Sequence, residues 1–505
     1  MLTKADIADA YSKGDRRGAN RYMRMPEPLR EYAEDGEELV IELGNPLWGE
    51  VTAGRDWQDT LFAELLKMGW QQAENVPCLY TFHCVSGVDC HLVTIVDDLL
   101  FSESKGHKIV NRTLELLRKR FGKVTSEVEP SSFAGYKIDR DRSRGALTIS
   151  MPVQIEKMVE EHYPHFKTAT KAPPGLLKGK KLRDALDSLR LPPADQRDVK
   201  RTKEQTAVQG VVGSLKYGEK VKPRLSVPVH RLSCVMAYPC SLATKCAESV
   251  AWWAWQTRFD GITYGGDGEH PEELMISGSL SAPISLDAGA PAQLLVSADA
   301  TWKGEKDVAD VYGMAITFNK GLVYHCTKKL GITSLDSSHE TECIATCKGA
   351  EANAWVREIL RALSIEIKGP TPILTDNMAN FLIGSTAGNP SRSKHFLRRY
   401  HSLLRRIAEG EARLEFVKDE ECPADFLTKW VPSTKLRKSQ AYAENSRNAV
   451  TPTPSGMAAC VETPLIRQER VRPVLLTERK EEAAWLDAGK RSDRKRLVHG
   501  SVIRM

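Results

Sequence analysis

The chain has 505 residues, which is too long for a single hydrophobic core and predicts two to four domains. Hydrophobic residues make up 41% and charged residues 27%, as in ordinary globular proteins, and no apolar run is long enough to predict a membrane span. The net charge of +6 permits a nucleic-acid partner without requiring one. The 11 cysteines form no CxxC pair, and the N-terminus lacks an apolar signal segment. We therefore expect reduced thiols and an intracellular protein, in the cytoplasm, the nucleus or both.

The hydrophobic patterns divide the chain into four predicted regions. Residues 1–165 alternate between strand-like and helix-like segments, including a helix predicted over 57–70. Residues 166–290 begin as a linker rich in Pro, Lys and Arg that contains a short helix, and continue as a helical region. Residues 291–432 again combine strands and helices. The periodicity fades over 433–505, where the run "KRSDRKR" (490–496) predicts a disordered basic tail, either a nuclear-import signal or only a solubilising segment.

A pair of adjacent acids interrupts an apolar hairpin in the first region. In "HLVTIVDDLLF" (91–101), Asp97 and Asp98 lie between two strand-like runs. Burying an unpaired carboxylate is costly, so a bound metal ion explains the pair well if another acid converges on it. The segment "ADIADAY" (5–11) offers Asp6, with Asp9 and Tyr11 close behind. The alternative is a structural turn, because Asp favours turns.

A second set of acids occurs in residues 291–432, each at the end of a predicted element. The segments are "LLVSADATW" with Asp299, "SSHETECIA" with Glu340 and Glu342, "LTDN" with Asp376, and "ADFLTK" with Asp425. Converging acids repel one another and raise one another's pKa unless a cation lies between them. Because the set contains no cysteine or histidine, it favours magnesium or manganese over zinc.

Taken in order, these motifs resemble the Pol polyproteins of copia-type retrotransposons, over about residues 4–430. The first set, with "LWGEVTAGRDW" (47–57) and "PCLYTF" (77–82), resembles a reverse-transcriptase palm. The second set resembles the ribonuclease H domain that follows it, including "SKHFLRRYH" (393–401). The resemblance implies an α/β and α+β multidomain fold: a palm with an antiparallel sheet, helices and no fingers over 1–165, a thumb-like or connection-like region over 166–290, and a ribonuclease H-like mixed sheet with helices over 291–432.

The resemblance also implies activities and ligands. In the palm, Asp6, Asp97 and Asp98 would hold two magnesium ions, Asp9 would lie near the incoming dNTP and Tyr11 would pack against its sugar. In the ribonuclease H domain, two magnesium or manganese ions would be held by the second set, namely Asp299, Glu342, Asp376 and Asp425. There the reaction is two-metal hydrolysis of the RNA in an RNA–DNA hybrid. Nucleic acid and other Pol segments are the implied partners, with no membrane.

Two positions in the second domain leave alternatives. Glu342 fits the Glu-Leu-x-Ala pattern of ribonuclease H enzymes through "ECIA", whereas Glu340 is the other candidate. The segment 391–411 is predicted to be a basic helix, either a phosphate-binding surface or a solvated face. Its candidate nucleic-acid contacts are Lys394, His395, Arg398, Arg399 and His401.

The first domain departs from the family pattern. Ile95 stands where the family has an aromatic residue, Val51 and Thr52 replace its Lys and Gln, and the chain starts too near Asp6 for a fingers subdomain. We therefore expect an incomplete polymerase followed by a more complete ribonuclease H domain, which is the one expected to be active. The alternatives are a catalytically decayed nucleic-acid-binding remnant and a gene model truncated at its N-terminus.

Overall fold

The structure is a computed structural model, and it describes most of the first 450 residues. The described ranges are 1–16, 18, 20–85, 87, 89–104, 108–197, 202–267, 293–302, 310–319, 321–330, 337–385, 397–450 and 503–504. Two residues of the predicted basic surface, Lys394 and His395, lie outside these ranges, as does the basic run at 490–496. Within the described residues, no helix combines the length and the apolar character needed to span a bilayer.

The strands and helices are numbered in chain order. The strands are β1 (Leu2–Ile7), β2 (Arg21–Arg24), β3 (Val40–Leu43), β4 (Gln71–Ala73), β5 (Val76–Phe82), β6 (Cys90–Ile95), β7 (Asp98–Ser102), β8 (Val124–Val128), β9 (Ser132–Phe133), β10 (Tyr136–Asp141), β11 (Ala146–Ser150), β12 (Ile262–Gly265), β13 (Leu294–Thr301), β14 (Val311–Phe318), β15 (Leu322–Lys329), β16 (Thr371–Thr375), β17 (Ala412–Phe416) and β18 (Ile503–Arg504). The helices are α1 (Ala10–Lys13), α2 (Ala53–Lys67), α3 (Ile109–Phe121), α4 (Pro152–His162), α5 (Gly179–Ser188), α6 (Lys203–Glu219), α7 (Ser226–Val235), α8 (Ser241–Gln256), α9 (Ser338–Ala362), α10 (Met378–Ser385), α11 (Leu397–Ala408) and α12 (Ser433–Glu444).

The N-terminal region contains a six-stranded sheet of order β4-β5-β6-β7-β1-β8, in which every neighbouring pair is antiparallel. Burial alternates along β1, so that Ala5 and Ile7 enter the core while Asp6 between them stays half-buried. Helices α2 and α3 cover the sheet through apolar side chains that include Trp57 and Phe121. The helix predicted over 57–70 begins earlier, at Ala53. The predicted antiparallel sheet with helices is confirmed.

The middle region is built from helices around their own apolar core. Helices α4 to α8 share this core, and the short helix predicted in the basic linker is α5. Phe166 and Leu186 of the linker are buried in the same core, so the segment packs against the helices. A four-stranded sheet of order β12-β11-β10-β9 joins the region to the strands that precede it.

The C-terminal region contains a five-stranded sheet of order β15-β14-β13-β16-β17. Strands β13, β14 and β15 run antiparallel, whereas β13, β16 and β17 run parallel. The sequence "LLVSADA" at the start of β13 is buried at every residue, as expected for a central strand that is covered on both faces. Helix α9 packs across β13 and β14. The predicted mixed sheet with helices is thus confirmed.

The prediction of a disordered tail from residue 433 is wrong for residues 433–450. Helix α12 starts at Ser433, and Tyr442, Ala443 and Glu444 at its end are buried. The sequence pattern missed this helix because several of the residues that it buries are polar, including Lys435 and Ser439.

The end of α12 is fixed to the middle region by a buried ion pair. The Arg224 guanidinium donates to both carboxylate oxygens of Glu444 at 2.8 Å and to Asp260 at 3.0 Å. Two amide contacts extend this interface, because Asn445 donates to the Gly265 carbonyl at 2.9 Å and Arg144 donates to Asn448 at 3.2 Å.

We predict that Arg224→Met loosens α12, because it leaves the Glu444 carboxylate buried without its partner. Loss of one partner of a buried pair costs about 3–5 kcal/mol. Hydrogen exchange of the α12 amides in increasing denaturant measures this local free energy of opening. Arg437→Met on the exposed side of the same helix is the control, with an expected change within about 0.5 kcal/mol. Equal losses in the two variants would contradict the prediction.

Candidate functional site

The four predicted acids of the C-terminal region come together at one end of the strands of the five-stranded sheet. Asp299 lies in β13, and Asp376 follows the last residue of β16. These strands are parallel neighbours in which Ser297 pairs with Leu374, so two residues further along Asp376 is opposite Asp299. The covering helix α9 contributes Glu342, and a short 3-10 helix that starts at Asp425 contributes the last acid.

The carboxylates are close enough to share cations. Oxygen atoms of Asp299, Glu342 and Asp376 all lie within 4.8 Å of one another. A second group with the same spacing joins Asp376 and Asp425 to the sulfur of Cys422. The structure therefore brings together all four acids of the second set, and Asp376 belongs to both groups.

Burial leaves two carboxylate oxygens of this cluster without a protein partner. Asp299 is fully buried, and Glu342 and Asp425 are only 8% and 1% exposed. The Ala300 amide donates to Glu342 Oε1 at 3.2 Å, whereas Glu342 Oε2 and Asp425 Oδ1 are buried with no hydrogen-bond partner among the residues that the structure describes. A buried carboxylate is costly unless it is paired, takes up a proton or binds a cation. The residues present therefore fit divalent ions.

The crowding of these acids raises their pKa values. Burial, and then the Asp425 charge, raises the pKa of Asp299 to about 7. Burial, and then the charges of Asp299 and Asp376, raises the pKa of Glu342 to about 9. Burial followed by Asp425 also raises the pKa of Asp376. A divalent cation between the acids would favour their ionised forms.

The helix glutamate that faces the cluster is Glu342. Glu340 lies two residues earlier in the first turn of α9, where its backbone amide donates to the capping Ser337 Oγ at 3.3 Å. Residues two apart on a helix do not share a face. The geometry therefore favours Glu342, which the sequence pattern had favoured over Glu340.

Two lysines at the cluster were missed by the sequence analysis. Lys429 Nζ lies 3.4 Å from Asp299 Oδ1 and 3.1 Å from Asp425 Oδ2. Lys435 of α12 pairs with the same Oδ2 of Asp425. Burial alone lowers the pKa of Lys429, but the charges of Asp299 and Asp425 outweigh it and raise that pKa. The four-residue spacing from Asp425 to Lys429 was a signal in the sequence, whereas the approach of Lys435 depends on the unexpected helix.

Cys422 is the third residue that the sequence analysis missed. The expectation of a ligand set without cysteine applies to the group of Asp299, Glu342 and Asp376, but the second group includes the Cys422 thiol. This thiol is fully buried. Its position three residues before Asp425 in "ECPAD" was visible in the sequence, but only the turn between them shows that both side chains point into the cluster.

Neighbouring polar residues hold the strand-to-helix turn after Asp376 in place. The Asn377 side chain accepts a hydrogen bond from the Asn380 amide at 2.9 Å, as a helix cap does. Asn380 is buried and donates to Thr346 at 2.6 Å and to Thr375 at 3.2 Å. Tyr400 of α11 donates to the Asn380 carbonyl at 2.8 Å, which ties α11 to the same turn.

The predicted basic surface is described only in part. Arg398, Arg399 and His401 lie in α11, and His401 is exposed. Further along the same helix, Arg405 pairs with Glu409 at 3.8 Å and Arg406 pairs with Glu411 at 2.7 Å. Part of the basic charge of this helix is therefore balanced locally.

The first set of acids lies at the tip of the β6–β7 hairpin and on the strand beside it. Asp6 on β1 is directly opposite Asp98 on β7, and Asp97 occupies the turn, where its carbonyl accepts a hydrogen bond from the Ile7 amide at 3.1 Å. Burial, and then the Asp97 charge, raises the pKa of Asp6. Burial also raises the pKa of Asp98, while the Lys4 charge acts in the opposite direction. The three acids are neighbours, but within the described residues they do not form a group as compact as the two at Asp376.

A strained backbone sets the direction of this hairpin. Val96 has a φ of 58°, in the left-handed region that β-branched residues rarely adopt. The Trp57 indole donates to the Val96 carbonyl at 2.7 Å, which anchors the turn to α2. Strain of this kind persists only where surrounding contacts enforce it.

The two predicted nucleotide contacts lie beside the first set of acids. Asp9 precedes α1 with a φ of 57°, and its carbonyl accepts a hydrogen bond from the Ser12 hydroxyl at 2.8 Å. Tyr11 is half-buried and packs against the core of the six-stranded sheet.

No protein-family model matches the chain. Among solved structures it is similar to the LC11 ribonuclease H1 bound to an RNA/DNA hybrid, with 14% identity and a TM-score of 0.21 over 31% of this chain and 100% of that one. It is also similar to a foamy viral protease-reverse transcriptase bound to an RNA/DNA hybrid, with 10% identity and a TM-score of 0.27 over 87% of this chain and 67% of that one.

Curated relatives match a larger share of the sequence. The retrovirus-related Pol polyprotein from transposon RE1 of Arabidopsis thaliana is 23% identical over 444 residues, which cover 86% of this chain and 27% of the polyprotein. The corresponding polyprotein from transposon TNT 1-94 of Nicotiana tabacum is 23% identical over 443 residues, which cover 86% of this chain and 30% of the polyprotein. The chain thus spans less than a third of the length of either relative. Over most of its own length, it is a homologue of the retrovirus-related Pol polyproteins of copia-type transposons.

Proposed function

We propose that residues 291–432 form a ribonuclease H domain that hydrolyses the RNA strand of an RNA–DNA hybrid with two magnesium or manganese ions. The observation that carries the proposal is the cluster of four acids, three of them buried, in which Glu342 Oε2 and Asp425 Oδ1 have no hydrogen-bond partner among the described residues. Asp299, Glu342 and Asp376 would hold one ion, and Asp376 together with Asp425 would hold the other. The chemistry that such ions would supply, when bound by these residues, is activation of the attacking water and stabilisation of the departing 3′-oxygen.

The residues around the acids would keep the site ready for substrate. Asp299 is held on a central strand and accepts a hydrogen bond from the Thr428 hydroxyl, and the Ala300 amide orients Glu342. Groups that are fixed before the substrate arrives lower the reorganisation cost of the reaction. Helix α11, with Arg398, Arg399 and His401, follows Asp376 in the chain and is the proposed binding surface for the hybrid, together with Lys394 and His395.

We propose residues 1–165 as a polymerase palm, with Asp6, Asp97 and Asp98 as magnesium ligands and with Asp9 and Tyr11 next to the dNTP. Residues 166–290 would be the thumb-like or connection-like region. The pairing of Asp6 with Asp98 across β1 and β7 supports this proposal. Because these acids are less closely gathered than the second set, hybrid cleavage is the activity that we expect to detect first.

We predict that the purified chain cleaves the RNA strand of a labelled hybrid in magnesium or manganese, and that Asp376→Asn abolishes this cleavage. The variant removes a charge from the acid shared by both groups, and a loss of several kcal/mol in transition-state stabilisation corresponds to about 100-fold or more in rate. Denaturing gel electrophoresis of the products measures the effect. Metal-dependent cleavage that persists in Asp376→Asn would contradict the assigned site.

A matched pair of variants on α9 identifies the helix ligand. Glu342→Gln is expected to lose cleavage to a similar extent, whereas Glu340→Gln keeps it, because only Glu342 faces the other acids. Hybrid binding should survive in both variants and weaken steeply with salt, since phosphate contacts dominate it. Binding without turnover by the wild-type chain, in either metal, would favour the catalytically decayed alternative instead.

We also predict that Lys429→Met increases the stabilisation of the fold by magnesium. Without divalent ions the variant should melt at a lower temperature, because Asp299 and Asp425 lose a counter-charge. Added magnesium should then raise its melting temperature more than that of the wild type, since the ammonium no longer competes with the ion. Calorimetry in EDTA and in magnesium measures both effects, and Lys438→Met on the exposed side of α12 is the control. Equal magnesium shifts in all three proteins would contradict the prediction.

A further inference from the structure

A thiol lies beside two of the carboxylates of the cluster. Cys422 follows the short 3-10 helix Asp419–Glu421, and Asp425 starts the next one. The sulfur of Cys422 and one oxygen each from Asp376 and Asp425 lie within 4.8 Å of one another. The ligand bond lengths of zinc place neighbouring donors roughly 3.6 Å apart in a tetrahedron. The three donor atoms can therefore surround one ion.

Burial and the pairing of Asp425 indicate that a ligand is missing from this group. Asp425 is 1% exposed, and within the described part of the chain its Oδ1 has no hydrogen-bond partner. Both lysines that reach this carboxylate, Lys429 and Lys435, contact the other oxygen, Oδ2. The ion pairs at Asp425 thus leave Oδ1 available to a cation.

The chemistry of the donors selects the ion. A thiolate is a soft ligand that binds zinc or cadmium well and binds magnesium poorly, whereas carboxylates accept both classes of ion. Three protein ligands and one water complete a four-coordinate zinc site. On binding, the Cys422 thiol would lose its proton to the buffer and the sulfur would form the metal bond.

We propose that Cys422, Asp376 and Asp425 form a site for a thiophilic divalent cation such as zinc. It differs from the oxygen-only group of Asp299, Glu342 and Asp376, but the two groups share Asp376. An ion at Cys422 would therefore occupy an acid of the oxygen-only group. If the proposed hydrolysis is correct, zinc would inhibit it in competition with magnesium. Only this expected inhibition rests on the proposed function.

Cadmium is the probe that tests the site in the full chain without nucleic acid. Wild-type protein titrated with cadmium should show a thiolate-to-cadmium absorption band, and Cys422→Ser should lose one equivalent of that band. Competition with a chromophoric chelator should show zinc affinity at this site lower by at least about tenfold in the variant. Cys246→Ser, which changes a buried cysteine in the core of the helical region, is the matched control and should behave as wild type.

A second variant keeps the test decisive if Cys422→Ser folds poorly by circular dichroism. Asp425→Asn retains the thiol but removes the charge that holds the ion, so it should lose the same equivalent of the band. The inference is overturned if Cys422→Ser, or Asp425→Asn in its place, binds cadmium and zinc as wild type does. Hybrid cleavage in magnesium distinguishes the two proposals. A wild-type chain that does not cleave but binds zinc through Cys422 would overturn only the proposed function.

Discussion

The constraint on which the C-terminal half of the structure depends is the electrostatic cost of bringing four acids together at a place where three of them are buried. Asp299, Glu342 and Asp425 are almost fully removed from solvent, and carboxylates so close together repel one another. The fold offsets part of this cost with the charges of Lys429 and Lys435. Two carboxylate oxygens still have no hydrogen-bond partner in the described ranges, and a bound cation would satisfy them.

The strand order of the sheet explains how acids so far apart in sequence meet. Strands β13 and β16 are parallel neighbours, although helix α9 and two further strands separate them in the chain. Asp299 and Asp376 therefore lie at the same end of these two strands. Helix α9 packs against the sheet and brings Glu342 close to both acids. Helix α12 adds Lys435 to the cluster and is itself held by the buried pair of Arg224 and Glu444. Helix α12, which follows the last strand of the five-stranded sheet, thus helps to support the site.

The N-terminal acids are arranged by a simpler device. A hairpin tip places Asp97 and Asp98 beside Asp6 on the neighbouring strand, and the strained Val96 and its hydrogen bond to Trp57 set the direction of the tip. These acids are only partly buried and lie near Lys4. The need for a cation to offset their charge is consequently weaker here than at the second set.

The sequence by itself determined the two sheets, the elements that carry each acid and the preference for Glu342, because apolar periodicity and motif order are local properties of the chain. It also predicted the homology to the Pol polyproteins. Only the tertiary structure decided that Lys429, Lys435 and Cys422 belong to the cluster, and that residues 433–444 form a helix. The physical reason is that these side chains gain their partners from residues distant in sequence or across a turn. A buried lysine or thiol looks like any other polar or small residue until the acid that faces it is known.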